Sequence, residues 1–163
     1  MKLFRFFLFS VVALFAIASL IGILLPSKVL VSRAVDMNAS KDSIFPQLND
    51  VNKWKNWMDG MQQANPEIYS SSKVDIGGTL IEIKQVSDTT VVSLWTGKNG
   101  GTQTSTVRVI ANPSQNISVV QWQFEQKLKW YPWERLGSMM NDKILGTMME
   151  KNLNNLKSLV EHH

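Results

Sequence analysis

The side chains able to do chemistry in this sequence are few. It has no cysteine, which excludes thiolate nucleophiles, disulfides, cysteine metal sites and lipid attachment through Cys together. Its two histidines, His162 and His163, close the chain after Glu161, where the triplet also reads as a truncated purification tag. At the terminus they supply neither a Ser-His-Asp triad nor an ordinary zinc site, so no metal and no cofactor is expected. Acid–base work would fall to carboxylates on strands, Glu82 and Glu125. Both lie on the polar phase of their strands, where a carboxylate keeps an ordinary pKa and makes a poor general acid at neutral pH. Gly97-Lys98-Asn99-Gly100-Gly101 has the glycines of a phosphate loop without the Walker spacing, and it falls between two β-rich runs, so it reads as a hairpin turn. The sequons Asn38-Ala39-Ser40 and Asn116-Ile117-Ser118 are short enough to arise by chance. No catalytic residue is expected.

What remains is aromatic and sulfur-bearing. Trp54 and Trp57, three apart, share one helix face, where they either plug the core or line a pocket mouth, and plugging is the default. Trp95, Trp122, Phe124, Trp130, Tyr131 and Trp133 follow along the later strands and the entry to the last helix, more ring area than a small core needs. Met140, Ile144 and Met148 lie on that helix, and methionine fits irregular or adaptable cavities. If these residues share a cavity, it is apolar with few polar anchors, suited to a lipid, an isoprenoid or another hydrophobic molecule. The expected ligand-binding set is Trp54, Trp57, Trp95, Trp122, Phe124, Trp133, Met140, Ile144 and Met148, with Arg108 to hold an acidic headgroup. Arg135 is a second cation of that kind, and both arginines also read as surface ion pairs. Trp130-Tyr131-Pro132-Trp133 has the composition of a corner resting on a bilayer surface.

The element that must position these side chains is the last helix, Trp133 to Val160. Leu136, Met140, Ile144, Leu145, Met148, Met149, Leu153, Leu156 and Val160 form an apolar stripe, with Asp142, Lys143, Glu150, Lys151, Asn154, Asn155 and Lys157 opposite. At 1.5 Å per residue it is about 42 Å long, and the natural cover for so long a stripe is an antiparallel sheet. Gly137 and Gly146 each cost about 1 kcal/mol against Ala there. Strands are predicted over Val29 to Met37, Thr79 to Gln85, Thr90 to Thr96, Thr102 to Ile110 and Ile117 to Glu125, the last four a meander. Ser40 and Asp50 cap two short helices, the first limited by Pro46. Met58 to Gly78 reads as one edge strand, Glu67 to Ser70, in a long connection.

Ahead of this domain, Phe6 to Leu25 runs uncharged to Pro26 and matches a hydrocarbon core of about 30 Å. Ala16-Ile17-Ala18 resembles a signal cleavage site, but the apolar run continues to Leu25, which favours an uncleaved anchor. The expected organisation is a tail and transmembrane anchor over 1–27 and one domain over 28–163. The net charge of +4 falls to +2 without Lys2 and Arg5, too balanced for nucleic-acid binding. Basic residues flank both ends of the span, and the short basic N-terminal tail puts the folded domain outside the cytoplasm.

From Val29 onward the chain resembles the START-like superfamily, or helix-grip (SRPBCC) fold, and within it bacterial membrane-anchored members of the polyketide cyclase and lipid-transport branch. The resemblance rests on Arg33-Ala34-Val35 leading to Asn38-Ala39, on Phe45-Pro46 with Leu48, Asp50, Trp54 and Trp57, and on Pro132-Trp133, Arg135, Gly137, Met140, Asp142, Lys143, Gly146, Leu153 and Leu156-Lys157. It implies an α+β fold in which a curved antiparallel sheet wraps a long C-terminal helix and holds a hydrophobic ligand between them. Three functions follow: a membrane-tethered, non-catalytic binding module for a hydrophobic small molecule or lipid, a polyketide-cyclase-like enzyme, and an envelope structural protein with a filled core. The binding module is the leading expectation.

Overall fold

The computed structural model describes residues 2–24, 27–112, 114, 116–129 and 132–162, with backbone alone at 22, 23, 62, 132, 133 and 135–141. Helix α1 (Lys2–Leu24) is exposed almost throughout, and by length and composition it is the one helix among the described residues able to cross a membrane. Strand β1 (Lys28–Met37) follows almost at once. Helix α2 (Lys41–Leu48) is capped by Ser40, whose side chain accepts from Ser43 N, and α3 (Val51–Trp54) by Asp50, which accepts from Asn52 N. The remaining elements are α4 (Asp59–Gln63), β2 (Glu67–Ser70), β3 (Lys73–Ile76), β4 (Thr79–Val86), β5 (Thr90–Thr96), β6 (Thr102–Asn112), β7 (Ile117–Lys127) and α5 (Pro132–Glu161).

The strands form one antiparallel sheet of seven, in the order β1-β7-β6-β5-β4-β3-β2. A register shift between Ile83 and Gln85 bends β4 against β5, as an extra residue in one strand does. The stretch between Met58 and Gly78 holds more than the single strand expected of it. It contains α4 and a hairpin of two four-residue strands, the second joined to β4 through Gly77-Gly78. Both glycines have positive φ, 59° and 87°, as a two-residue hairpin loop requires. The β2–β3 turn is held by serines instead, with Ser72 N donating to Ser70 Oγ at 3.2 Å. Strands this short carry too few alternations to stand out in a sequence.

One face of the sheet is the core. Val31, Ile81, Val91, Val107, Val109, Val120, Trp122 and Phe124 project from it and pack against Met149, Leu153, Leu156 and Val160 of α5. Fully burying side chains of this kind is worth about 1.5–3 kcal/mol each. The buried face of α5 runs through Met149, Asn152, Leu153 and Leu156, which turns Ile144 outward to 67% exposure. That corrects its predicted place on the stripe, while Leu145, predicted there too and about 100° round the helix, does pack on the core.

Arg33 shares the inward phase of β1 with Val31 and Val35 and crosses α5 at Gly146. Its Nε donates to Glu150 Oε1 at 2.6 Å and its Nη1 to Asp142 Oδ1 at 3.4 Å, one turn to either side of that glycine. A Cβ at Gly146 would overlap the guanidinium, so the helix gives up a side chain there to let the arginine through.

Candidate functional site

Between the sheet and α5 lies a cleft of about 490 Å³, open at one end. Its walls come from five parts of the chain. Met58 and Gly60 belong to the α4 corner; Ile76, Thr79 and Ile81 to the β3–β4 hairpin; Trp95, Gly97, Lys98, Asn99, Gly101 and Gln103 to the β5–β6 hairpin; Met148 and Asn152 to α5, with Gln126 closing the side on β7. The volume is within the range of about 300–1,000 Å³ typical of small-molecule sites.

Beneath the cleft, Trp95 joins a buried aromatic cluster. Trp57 meets Trp122 with centroids 5.9 Å apart, Trp122 meets Phe124 at 5.5 Å, and Trp95 stands edge-on to Phe124 at 5.0 Å. Behind Trp95 the interior is closed: the void bounded by Leu48, Trp54, Trp57, Val91, Val107 and Trp122 measures only about 10 Å³. Each described indole N–H already has an acceptor within the protein. Trp54 donates to Leu48 O, Trp57 to Gln47 O, Trp95 to Ser93 Oγ and Trp122 to Ser105 Oγ. Trp54, Trp57, Trp122 and Phe124 are therefore core plugs rather than cleft lining, each 4% exposed or less. Among the described predicted rings, Trp95 alone forms wall on both sides, facing the cleft and the packed interior.

Of the predicted site residues, the cleft brings together Trp95 and Met148. Arg108 does not reach it. It sits between inward-facing Val107 and Val109, projects from the opposite face of the sheet, and lines a shallow groove with Ser40, Lys41 and Asp42 near the far end. That groove is larger, about 690 Å³, but lies outside the space between sheet and helix. Ile144 faces outward, and the side chains of Trp133 and Met140, like that of Arg135 and all of Trp130 and Tyr131, lie outside the described residues.

The polar residues of the cleft lie outside the expected ligand-binding set, Asn152 and Lys98 among them. Asn152 is 1% exposed; its Oδ1 accepts from Asp59 N at 3.0 Å while its Nδ2 contacts Met148 Sδ, a weak acceptor. Its signal was a polar residue in phase with Met149 and Leu156 on the apolar stripe. Lys98 is the one charged side chain among the described lining residues, and its stem lies against Gly78, where a Cβ would overlap it. Nothing in the sequence distinguished it from any hairpin lysine. Asn155, assigned to the polar side, instead donates to Trp57 O at 3.1 Å and to Asp59 Oδ1 at 3.0 Å, pinning the α4 corner to α5.

The carboxylates weighed for catalysis lie elsewhere. Glu125 pairs with Lys28 at 3.0 Å. Glu82 pairs with Lys84 at 2.7 Å, and that hydrogen bond holds its carboxyl below the ordinary value, leaving it ionised at neutral pH.

No family model matches the sequence, and no curated protein does. Solved structures do match. A START superfamily protein from Mycobacterium smegmatis superposes with a TM-score of 0.63 at 14% identity, over 82% of this chain and 97% of that one. The chain has the START-like, helix-grip fold. Norcoclaurine synthase from Thalictrum matches with a TM-score of 0.62 at 14% identity, over 83% of this chain and 96% of that one. The di-domain ARO/CYC StfQ from the steffimycin biosynthetic pathway gives 0.62 at 11% identity, over 83% of this chain and 51% of its own. Enzymes and a protein described by superfamily alone thus share this START-like frame, and the frame does not choose between catalysis and binding.

Proposed function

We propose that this START-like protein is a membrane-tethered binding module that takes up a hydrophobic small molecule or lipid and does not transform it. The observation that carries this reading is the cleft itself, about 490 Å³ of space between Trp95 and Met148 with one ionisable side chain, Lys98, in its described lining. Acid–base catalysis needs a titratable group in reach of the reacting atoms. An exposed lysine at the rim is poorly suited to that task, whereas apolar walls with a few polar contacts suit retention of a hydrophobic guest. The tether is α1, whose length matches a bilayer and whose surface is apolar. The domain beyond it, 28–163, is taken as extracytoplasmic and as one unit.

The test is native mass spectrometry of the full chain carried in phospholipid nanodiscs, comparing the wild type with Met148→Trp, which fills the cleft. A hydrophobic molecule released from the wild type and at least tenfold depleted in the variant is the expected result. Equal amounts in both would place any bound molecule elsewhere and overturn the reading.

A further inference from the structure

The pairing register shows which end of the sheet the cleft opens toward. β1 begins at Lys28, opposite Lys127 at the end of β7. Following the ladder across, Gln126 pairs with Gln103 near the start of β6, Thr102 with Thr96 at the end of β5, and Thr96 with Leu80 at the start of β4. The hairpin tip 97–101, the Gly77-Gly78 turn and the start of β1 are therefore all at one end of the sheet. That is the end at which the chain emerges from α1, since Leu24 and Lys28 are separated by three residues that span at most about 14 Å. The cleft mouth, with Lys98 and Asn99 at its rim, faces the side of the domain where the anchor would enter the bilayer. Hairpin 87–89 and Asn112 mark the opposite end, about 23 Å away along β5.

The described lining of that mouth carries charge of one sign. Among the described residues no carboxylate lines the cleft, and no ion pair engages Lys98. Of the acids toward that end, Asp75 accepts from Gly78 N at 2.6 Å and keeps its negative charge outside the cleft lining, and Glu125 is paired with Lys28. Gly78 seats the stem of Lys98, which keeps the ammonium at the rim rather than leaving the whole side chain in solvent. The volume, about 490 Å³, is that of a small-molecule site and accommodates one hydrocarbon chain.

Resting on the binding reading above, we infer that the cleft receives a single-chain acidic amphiphile directly from the adjacent leaflet, its chain passing between Trp95 and Met148 and its anionic head held by Lys98. A carboxylate head and a phosphate head present the same chemistry to Lys98, and the assay separates them.

The full chain in phosphatidylcholine nanodiscs is titrated with 9,10-dibromostearate, its methyl ester and a brominated lysophosphatidic acid, and quenching of tryptophan fluorescence is followed. Quenching by an acidic probe at least tenfold tighter than by the ester is expected, and the better of the two acids names the head. Lys98→Gln and Lys98→Glu should remove that preference. Equal binding of acid and ester, or indifference to both substitutions, overturns the acidic-head inference and leaves the binding reading standing. Absence of quenching by all three probes brings down the binding reading itself. For orientation, the absence of cysteine lets Asn99→Cys and Asp88→Cys each carry a single fluorophore. Headgroup-spin-labelled phosphatidylcholine should quench the label at 99 and spare that at 88, and equal or reversed quenching refutes uptake from the leaflet.

Discussion

Arg33 occupies the space that a side chain at Gly146 would fill, and from there it reaches Glu150 at 2.6 Å. The glycine and the arginine are therefore one feature, and their substitutions should not add. Ala is favoured over Gly inside a helix by about 1 kcal/mol. In an Arg33→Ala background, Gly146→Ala should deliver that gain in full. With Arg33 present the gain should shrink or reverse, because the guanidinium must leave its carboxylates. Thermal or urea unfolding of the four proteins measures the coupling, and additivity would show that the two residues act independently.

Asp59 anchors the α4 corner of the cleft. The hydrogen bond from Lys151, at 2.5 Å, holds its carboxyl below the ordinary value against the opposing effect of desolvation, with the charge of Lys151 and the amide of Asn155 adding to it. A carboxyl lowered in the folded state stabilises the fold above its unfolded pKa of about 3.9 and loses that contribution as pH falls through the folded value. Asp59→Asn should thus melt below the wild type at pH 7, with the gap closing as pH drops below about 4. Melting curves from pH 7 to pH 2.5 test this, and a gap that stays constant with pH would remove Asp59 from the acid response.

Much of the frame was readable because its signals are local and repeated. Four long strands alternate clearly, and the α5 stripe at Met149, Leu153, Leu156 and Val160 becomes the core contact. Ile144 was misplaced because the helix presents its stripe at a phase that only the packed sheet fixes. Strand β2 was read at Glu67–Ser70, but β3 went unseen because four residues give too little alternation to set a second strand apart from the connection around it. The cleft was harder still. Trp54, Trp57, Trp122 and Phe124 are as aromatic as a ligand cage, yet they fill one another's space, a property of pairs distant in sequence that no spacing rule conveys. Lys98 gains its position from Gly78, a contact made across two hairpins.

The indole of Trp122 ties the middle of the core to β6. Its Nε1 donates to Ser105 Oγ at 2.8 Å, and both residues are 2% exposed or less. Trp122→Ala should cost about 3–5 kcal/mol through the cavity it leaves. Ser105→Ala should cost about 1–3 kcal/mol, because a buried N–H loses its acceptor. Trp122→Phe removes that donor, so Ser105→Ala in its background should cost less than in the wild type. Denaturant titration of the set decides, and an undiminished cost would mean that the hydroxyl contributes through packing instead.

The proposed tether gives the last prediction. The exposed surface of α1 carries Leu14 and Ile17 near its middle, 67% and 56% exposed. Arginine near the centre of a membrane-spanning helix costs about 2.5–3.5 kcal/mol on insertion scales. Leu14→Arg combined with Ile17→Arg should therefore shift the full chain from the fraction that resists alkaline carbonate to the soluble fraction. The wild type should stay with the membrane and retain its intact mass of 18.5 kDa. A membrane-free wild type lacking the residues through Ala18 would instead identify the segment as a cleaved signal. It would leave the cleft in place but detach it from any leaflet, and the uptake route would fall with the anchor.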